Sequence, residues 1–120
     1  MGNILIVDDA KFLRKTIINA IDKTEHRVIG EATNGKEAVQ RYLQLKPDLV
    51  IMDITMPDMN GIAAVKQIKQ NDPSAKIIMC SALSQQKMVV HAIEAGAKDF
   101  IVKPFDETNL IETIEKNIVD

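Results

Sequence analysis

A carboxylate, hydroxyl or ammonium side chain directly follows four short apolar runs of the sequence. The residues concerned are Asp8, Asp9, Asp53, Ser81 and Lys103. Carboxylates gathered at close range raise one another's pKa unless a cation neutralises them. Ligation by oxygen alone favours a hard cation such as Mg²⁺ over zinc. The set therefore predicts a magnesium site, provided that the fold brings the ends of these runs together.

The same residues also suit phosphoryl chemistry. Mg²⁺ in proteins usually takes one or two carboxylates, several waters and a phosphate oxygen. A lysine supplies a point charge to phosphate, and a serine hydroxyl can donate to another phosphate oxygen. A carboxylate can itself be the nucleophile that forms an aspartyl phosphate. Asp53 is the candidate nucleophile because it is central, with the acid pair on one side and Ser81 and Lys103 on the other.

Five apolar runs alternate with five segments of helical periodicity, which predicts an α/β fold. The predicted strands lie near residues 3–7, 27–32, 48–52, 76–80 and 98–102. Four of them are almost continuous Ile, Val and Leu, as burial on both faces of a parallel sheet requires. We therefore expect a three-layer α/β/α sandwich, with helices on both faces of one parallel sheet.

The position of the polar residues predicts the order of the strands. Open parallel sheets bind ligands outside the carboxyl ends of their strands, where the connections diverge to opposite faces. The strand at 27–32 ends without a comparable polar residue, so we place it at an edge of the sheet. The resulting order, 2-1-3-4-5, brings all five polar residues to one crevice.

Composition narrows the possible functions. A chain of 120 residues is expected to form a single domain, here residues 1–120. Its net charge of −2 gives no reason to expect nucleic acid, and no apolar run approaches the roughly 20 residues of a membrane span. The single cysteine, Cys80, excludes an internal disulfide and fits a cytoplasmic protein. Because Cys80 lies inside an apolar run, we interpret it as a small buried hydrophobe.

Four stretches of the sequence resemble the receiver domain of bacterial two-component response regulators. They are DDAKFLR, MDITMPDMNG, IIMCSA and AIEAGAKDFIVKPF, and the resemblance runs from residue 3 to residue 118. Within that family the chain is most similar to the stand-alone chemotaxis regulators. The family has the strand order 2-1-3-4-5 predicted above.

The resemblance implies a role for each acidic residue. Asp53 would accept a phosphoryl group from a histidine kinase. Asp9, Asp53 and the backbone carbonyl of Thr55 would ligate Mg²⁺, and Asp8 would act through bound water. The protein would be a phosphoacceptor rather than an enzyme that turns over external substrates.

The resemblance also implies a conformational switch. Lys103 would pair with Asp53 or its phosphate, Ser81 would bind a phosphate oxygen, and Phe100 falls at the aromatic switch position. Many family members carry Thr in place of Ser81 and Tyr in place of Phe100. Phenylalanine lacks the phenolic hydroxyl, so a switch at Phe100 must work through packing alone.

The output is expected to be a protein contact, because residue 120 leaves no room for a DNA-binding domain. The resemblance suggests a monomer that binds the flagellar motor switch through helix 4, strand 5 and helix 5, with a partner phosphatase as a further candidate. A phosphorelay intermediate that passes its phosphoryl group to a histidine phosphotransfer protein would need an identical site. An aspartyl-phosphate phosphatase needs a carboxylate where Thr55 stands, and a flavin protein needs more aromatic residues than this chain has.

We interpret the remaining local patterns of the sequence as structural features rather than as functional sites. GEATNGKE matches a phosphate-binding P-loop up to Glu37, where the required hydroxyl residue is missing. We instead expect Asn34 to cap the second helix, with Glu37 placed as in a capping box. The Lys103–Pro104 peptide is predicted to be cis, and His91 to be a solvated helix residue. Buried gap-filling is predicted for Met52, Met56, Met59, Met79 and Met88.

Overall fold

Five strands alternate with five helices in the computed structural model, which describes residues 2–56 and 60–119. The strands are β1 (Asn3–Val7), β2 (Arg27–Ala32), β3 (Leu49–Asp53), β4 (Ile77–Ala82) and β5 (Asp99–Lys103). The helices are α1 (Lys11–Ile21), α2 (Gly35–Leu45), α3 (Gly61–Asn71), α4 (Gln86–Ala95) and α5 (Glu107–Ile118). A short 3₁₀ turn, Leu83–Gln85, joins β4 to α4.

The strands form one parallel sheet in the order β2-β1-β3-β4-β5, which confirms the predicted topology. Strands β3, β4 and β5 each begin one residue later and end one or two residues later than predicted. Asp53 and Lys103 are therefore the last residues of their strands, and Ser81 lies within β4. Parallel pairing is made by backbone groups, so a polar side chain does not end the ladder.

The two faces of the sheet carry separate apolar cores. On one face, Leu5, Val50 and Met79 pack among residues of α2, α3 and α4. On the other, Ile6 and Ile51 pack with residues of α1 and α5. The predicted α/β/α sandwich is confirmed.

The smaller predictions about the core are also confirmed where the structure describes them. Met52, Met56, Met79 and Cys80 are buried, and Met88 packs partly buried against the first core. Met59 lies outside the described residues. No helix in residues 2–56 and 60–119 is both long and apolar enough to cross a membrane.

Side-chain caps fix where α2 begins. The Asn34 side chain accepts a hydrogen bond of 2.8 Å from the backbone N–H of Glu37, as predicted. Glu37 returns a bond to the N–H of Thr33, at 2.9 Å, rather than to that of Asn34 as an ideal capping box would. The GEATNGKE segment thus runs from the end of β2 into the first turn of α2, and its own side chains supply the cap.

Candidate functional site

Three carboxylates meet at the carboxyl ends of β1 and β3. The two strands are neighbours, with Val7 paired to Met52, so Asp8 and Asp53 leave the sheet side by side. Ligand oxygens of Asp8, Asp9 and Asp53 all lie within 4.8 Å of one another. Asp8 and Asp53 are buried, and Asp9 is exposed. This arrangement could hold a metal ion at a position that solvent reaches from the Asp9 side.

Lys103 brings a positive charge to this group from β5, which is two strands away from β3. Its Nζ lies 2.9 Å from Oδ1 of Asp53 and 3.4 Å from Oδ2 of Asp8. The predicted cis peptide bond between Lys103 and Pro104 is present. Sequence reasoning therefore placed the lysine correctly beside both buried carboxylates.

The electrostatics of the group favour an added cation. Burial raises the pKa of Asp53, and the charges of Asp8 and Asp9 raise it further, against the opposing effect of Lys103. Burial alone would lower the pKa of Lys103, but its hydrogen bond to Asp53 and the charges of Asp53 and Asp8 together raise it. One lysine thus only partly offsets three carboxylates. A divalent ion bound by these carboxylate oxygens would offset the remaining negative charge.

The loop after β1 holds Asp8 in place. Asp8 Oδ1 accepts a hydrogen bond of 2.8 Å from the N–H of Ala10, at the start of α1. Arg14 donates to the backbone carbonyl of Asp8 at 2.7 Å and to the Glu31 carboxylate at 2.9 Å. Arg14 was not predicted to belong to the site. The only feature of the sequence that indicates it is its position, five residues after the acidic pair.

Ser81 is the least satisfied polar group of the site. It is 1% exposed, and its Oγ is the one buried side-chain oxygen or nitrogen in the described residues without a hydrogen-bond partner. The preceding residue, Cys80, is paired with Asp53 across the β3–β4 ladder. A buried hydroxyl without a partner costs free energy. Ser81 is thus able to gain a hydrogen bond if an acceptor is added nearby.

Phe100 lies away from the carboxylates, at the edge of an apolar cavity. The cavity has a volume of about 400 Å³, and its lining includes Ser81, Val89, Ile93 and Val102 besides Phe100. The Phe100 side chain is 43% exposed. Ser81 and Phe100 therefore line the same apolar cavity.

The chain after β3 returns closely to Asp53. The N–H of Ile54 donates to the carbonyl of Cys80 at 3.0 Å, and that of Gly61 donates to the carbonyl of Ile54 at 2.8 Å. A Cβ atom at Gly61 would lie 2.5 Å from the carbonyl oxygen of Asp53, so only glycine fits this approach. Thr55 is exposed between these points, and the metal role of its carbonyl stays a prediction. Residues 57–59 of the MDITMPDMNG motif lie outside the described residues.

Cysteine and histidine side chains do not take part in the site. Burial raises the pKa of the Cys80 thiol to about 12, so it is not a nucleophile near neutral pH. His91 is an exposed residue of α4, as predicted. His26 is buried and accepts a hydrogen bond of 3.0 Å from the N–H of Gly2, at the amino end of β1, away from the carboxylates.

The chain is similar in sequence to known proteins. The model of the response regulator receiver domain family matches residues 4–115. The chain is 59% identical over 113 residues to the chemotaxis protein CheY of Thermotoga maritima, covering 94% of each chain. It is 56% identical over 115 residues to CheY of Bacillus subtilis, covering 96% of each chain.

A solved structure gives the same result for the fold. The CheX–CheY–BeF₃–Mg complex from Borrelia burgdorferi matches with a TM-score of 0.92 and 37% identity, over 98% of this chain and 90% of that one. The resemblance that the sequence motifs predicted, to receiver domains and to chemotaxis regulators among them, is confirmed.

Proposed function

Because the chain belongs to the response regulator receiver domain family, we propose that it is a switch activated by phosphorylation of Asp53. The observation that supports this most is the group formed by Asp53, two further carboxylates and Lys103. Asp8, Asp9, Asp53 and the Thr55 carbonyl would hold Mg²⁺. Bound there, the ion would neutralise the charge that builds up during phosphoryl transfer.

Each side chain of the site has a separate role in the transfer of the phosphoryl group. A carboxylate oxygen of Asp53 forms a bond to phosphorus while the bond from phosphorus to a histidine nitrogen of the kinase breaks. The bonding electron pair stays on that imidazole. Lys103, already 2.9 Å from Asp53, offsets part of the negative charge of the product. Asp8 is fixed by Ala10 and Lys103, so it orients the site without reacting.

The phosphoryl group is then sensed by Ser81. A phosphoryl group on Asp53 brings about −1.5 to −2 charge and three acceptor oxygens, and the free hydroxyl of Ser81 donates to one of them. Phe100 rotates into the apolar cavity beside Ser81. Burying part of its ring favours this arrangement by about 1–2 kcal/mol, less than the burial of a whole apolar side chain.

The surface changed by this motion is the partner site. Phe100 on β5 and Val90 and Ile93 on α4 are large hydrophobic residues that are 41–58% exposed. We assign them to a docking face made of α4, β5 and α5. The relatives are named chemotaxis proteins, which supports the flagellar motor switch as the target. The proposal includes a histidine kinase as donor, a partner phosphatase, a monomeric single receiver domain over residues 1–120, and a cytoplasmic location.

A binding experiment tests this function. The purified chain is titrated against the flagellar motor switch protein, with and without beryllofluoride and Mg²⁺, and the same titration is made with Asp53→Asn. Tighter binding of the wild type with beryllofluoride, and no change for Asp53→Asn, is the expected result. Transfer of the phosphoryl group to a histidine phosphotransfer protein, without any binding to the motor switch protein, would instead favour the phosphorelay.

A further inference from the structure

Gln85 connects the two loops that carry Ser81 and Thr55. Its Oε1 accepts a hydrogen bond of 2.7 Å from the N–H of Ala82, and its Nε2 donates one of 2.6 Å to Oγ1 of Thr55. Since the Ala82 N–H can only donate, the orientation of the Gln85 amide is fixed. Gln85 is half-buried, at the end of the 3₁₀ turn between β4 and α4.

These two contacts join the residue after Ser81 to the loop that follows the proposed phosphoacceptor. Ala82 directly follows Ser81, whose hydroxyl has no partner within the described residues, and Thr55 comes two residues after Asp53. Hydrogen bonds from N–H to oxygen are rarely shorter than about 2.7 Å, and the two contacts are already 2.7 and 2.6 Å long. Neither contact can shorten, so movement of Ser81 toward Asp53 displaces the Gln85 amide from at least one of its two partners.

We propose that Gln85 is a positioning residue that keeps the β4–α4 turn at a fixed distance from the β3–α3 loop while Asp53 carries no phosphoryl group. The inference rests on the proposed function and adds a residue that opposes switching. The Ser81–phosphoryl bond and the intact pair of Gln85 bonds are then alternatives, and the ratio of the two states depends on both.

The Gln85 bonds set the size of the expected effect. Two neutral hydrogen bonds at a half-exposed position stabilise the unphosphorylated arrangement only modestly, because water hydrates the donor and acceptor groups when the bonds break. Their removal is expected to tighten the binding of a phosphoryl mimic roughly three- to ten-fold. The side chain of Ser84 is exposed in the same turn, so Ser84→Ala is the matched control.

The test is a calorimetric titration of the full chain with beryllofluoride in saturating Mg²⁺. Gln85→Ala and Thr55→Val, which keeps the backbone carbonyl, should each bind beryllofluoride about three- to ten-fold more tightly than wild type. The double variant should bind no more tightly than either single variant, because both changes break the same connection. Ser84→Ala should match wild type, and Mg²⁺ alone should bind Gln85→Ala as it binds wild type.

A purely structural role for Gln85 would lower the melting temperature without tightening beryllofluoride binding, so thermal unfolding is measured beside each titration. Unchanged or weaker binding by Gln85→Ala, or additive effects in the double variant, would overturn the role of Gln85. If the wild type itself bound no beryllofluoride, the proposed function would fail, and the inference about Gln85 with it.

Discussion

The Nζ of Lys103 is closer to Asp53, at 2.9 Å, than to Asp8, at 3.4 Å, so the lysine is chiefly the partner of the proposed phosphoacceptor. Its side chain is 27% exposed, whereas those of Asp8 and Asp53 are almost fully buried. The pair links β3 to β5 over the end of β4. This contact has a measurable consequence for metal binding.

Replacing Lys103 by methionine leaves three carboxylates without their cation. We expect Lys103→Met to lower the free energy of unfolding by about 1–3 kcal/mol in the absence of metal, as for a buried polar group that loses its partner. Mg²⁺ should then raise the melting temperature of this variant more than that of wild type. Lys66→Met, at an exposed position on α3, is the control. Equal Mg²⁺ effects in Lys103→Met and wild type would contradict the electrostatic account.

Asp53→Asn should stabilise the protein when a chelator removes divalent ions. The folded-state pKa of Asp53 lies above its ordinary value of 3.8, chiefly because of burial. Between those two values the folded state binds more protons than the unfolded state, so the free energy of unfolding falls as the pH rises. Asparagine does not ionise and avoids this loss.

The gain from Asp53→Asn should therefore be full above the folded-state pKa and shrink as the pH falls toward 3.8. Urea unfolding of both proteins at several pH values measures the difference. Wild type more stable than Asp53→Asn at pH 7 without metal would disprove the assigned shift. Added Mg²⁺ should stabilise wild type more than the variant.

Ser81→Ala should separate phosphorylation from its consequence. The Ser81 hydroxyl has no partner in the part of the chain that the structure describes, so its removal should leave the free energy of unfolding unchanged or raise it slightly. Phosphorylation at Asp53 should remain, while the phosphate-dependent gain in partner affinity weakens. Partner titration with and without beryllofluoride measures this gain, and a gain equal to that of wild type would exclude Ser81 as the sensor.

Phe100→Ala should weaken the same gain without altering Mg²⁺ binding. The variant removes the ring that is expected to fill the cavity beside Ser81. Phe12→Ala is a suitable control, because Phe12 is 84% exposed on α1 and does not line that cavity. If the Phe12 and Phe100 variants both kept the full gain, packing of Phe100 would have no part in switching.

Asn34→Ala tests the interpretation of GEATNGKE as the beginning of a helix. Loss of the bond to the Glu37 N–H should lower the free energy of unfolding by about 1 kcal/mol, a typical value for an N-cap. Asn109→Ala, at an exposed position in α5, should not destabilise, since alanine favours helices more than asparagine does. Equal stability of Asn34→Ala and wild type would show that the cap contributes nothing.

Sequence reasoning predicted the sheet well because its signals are strong and local. Continuous apolar runs such as residues 4–7 and 49–52 are typical of strands that are buried on both faces of a parallel sheet. The weaker second run is mostly half-exposed in the structure, as expected of an edge strand. The ends of the strands were less accurate, because backbone pairing continues through polar residues such as Ser81.

The contacts that side chains make with neighbouring loops could not be predicted from the sequence. Arg14 and Gln85 reach backbone or side-chain groups of other loops, and such contacts depend on where those loops fold back. The shifted bond from Glu37 to Thr33 depends in the same way on local backbone geometry. The partial exposure of Phe100 is likewise not indicated by the apolar pattern of its strand.

The central claim is that Asp53 accepts a phosphoryl group with the help of a divalent ion, and intact-mass analysis tests it most directly. The chain is incubated with acetyl phosphate and Mg²⁺, in parallel with a sample containing EDTA and with Asp53→Asn. The account predicts one added phosphoryl group on the wild type with Mg²⁺ and none in the other two samples. Phosphorylation of Asp53→Asn, or equal phosphorylation in EDTA, would contradict it.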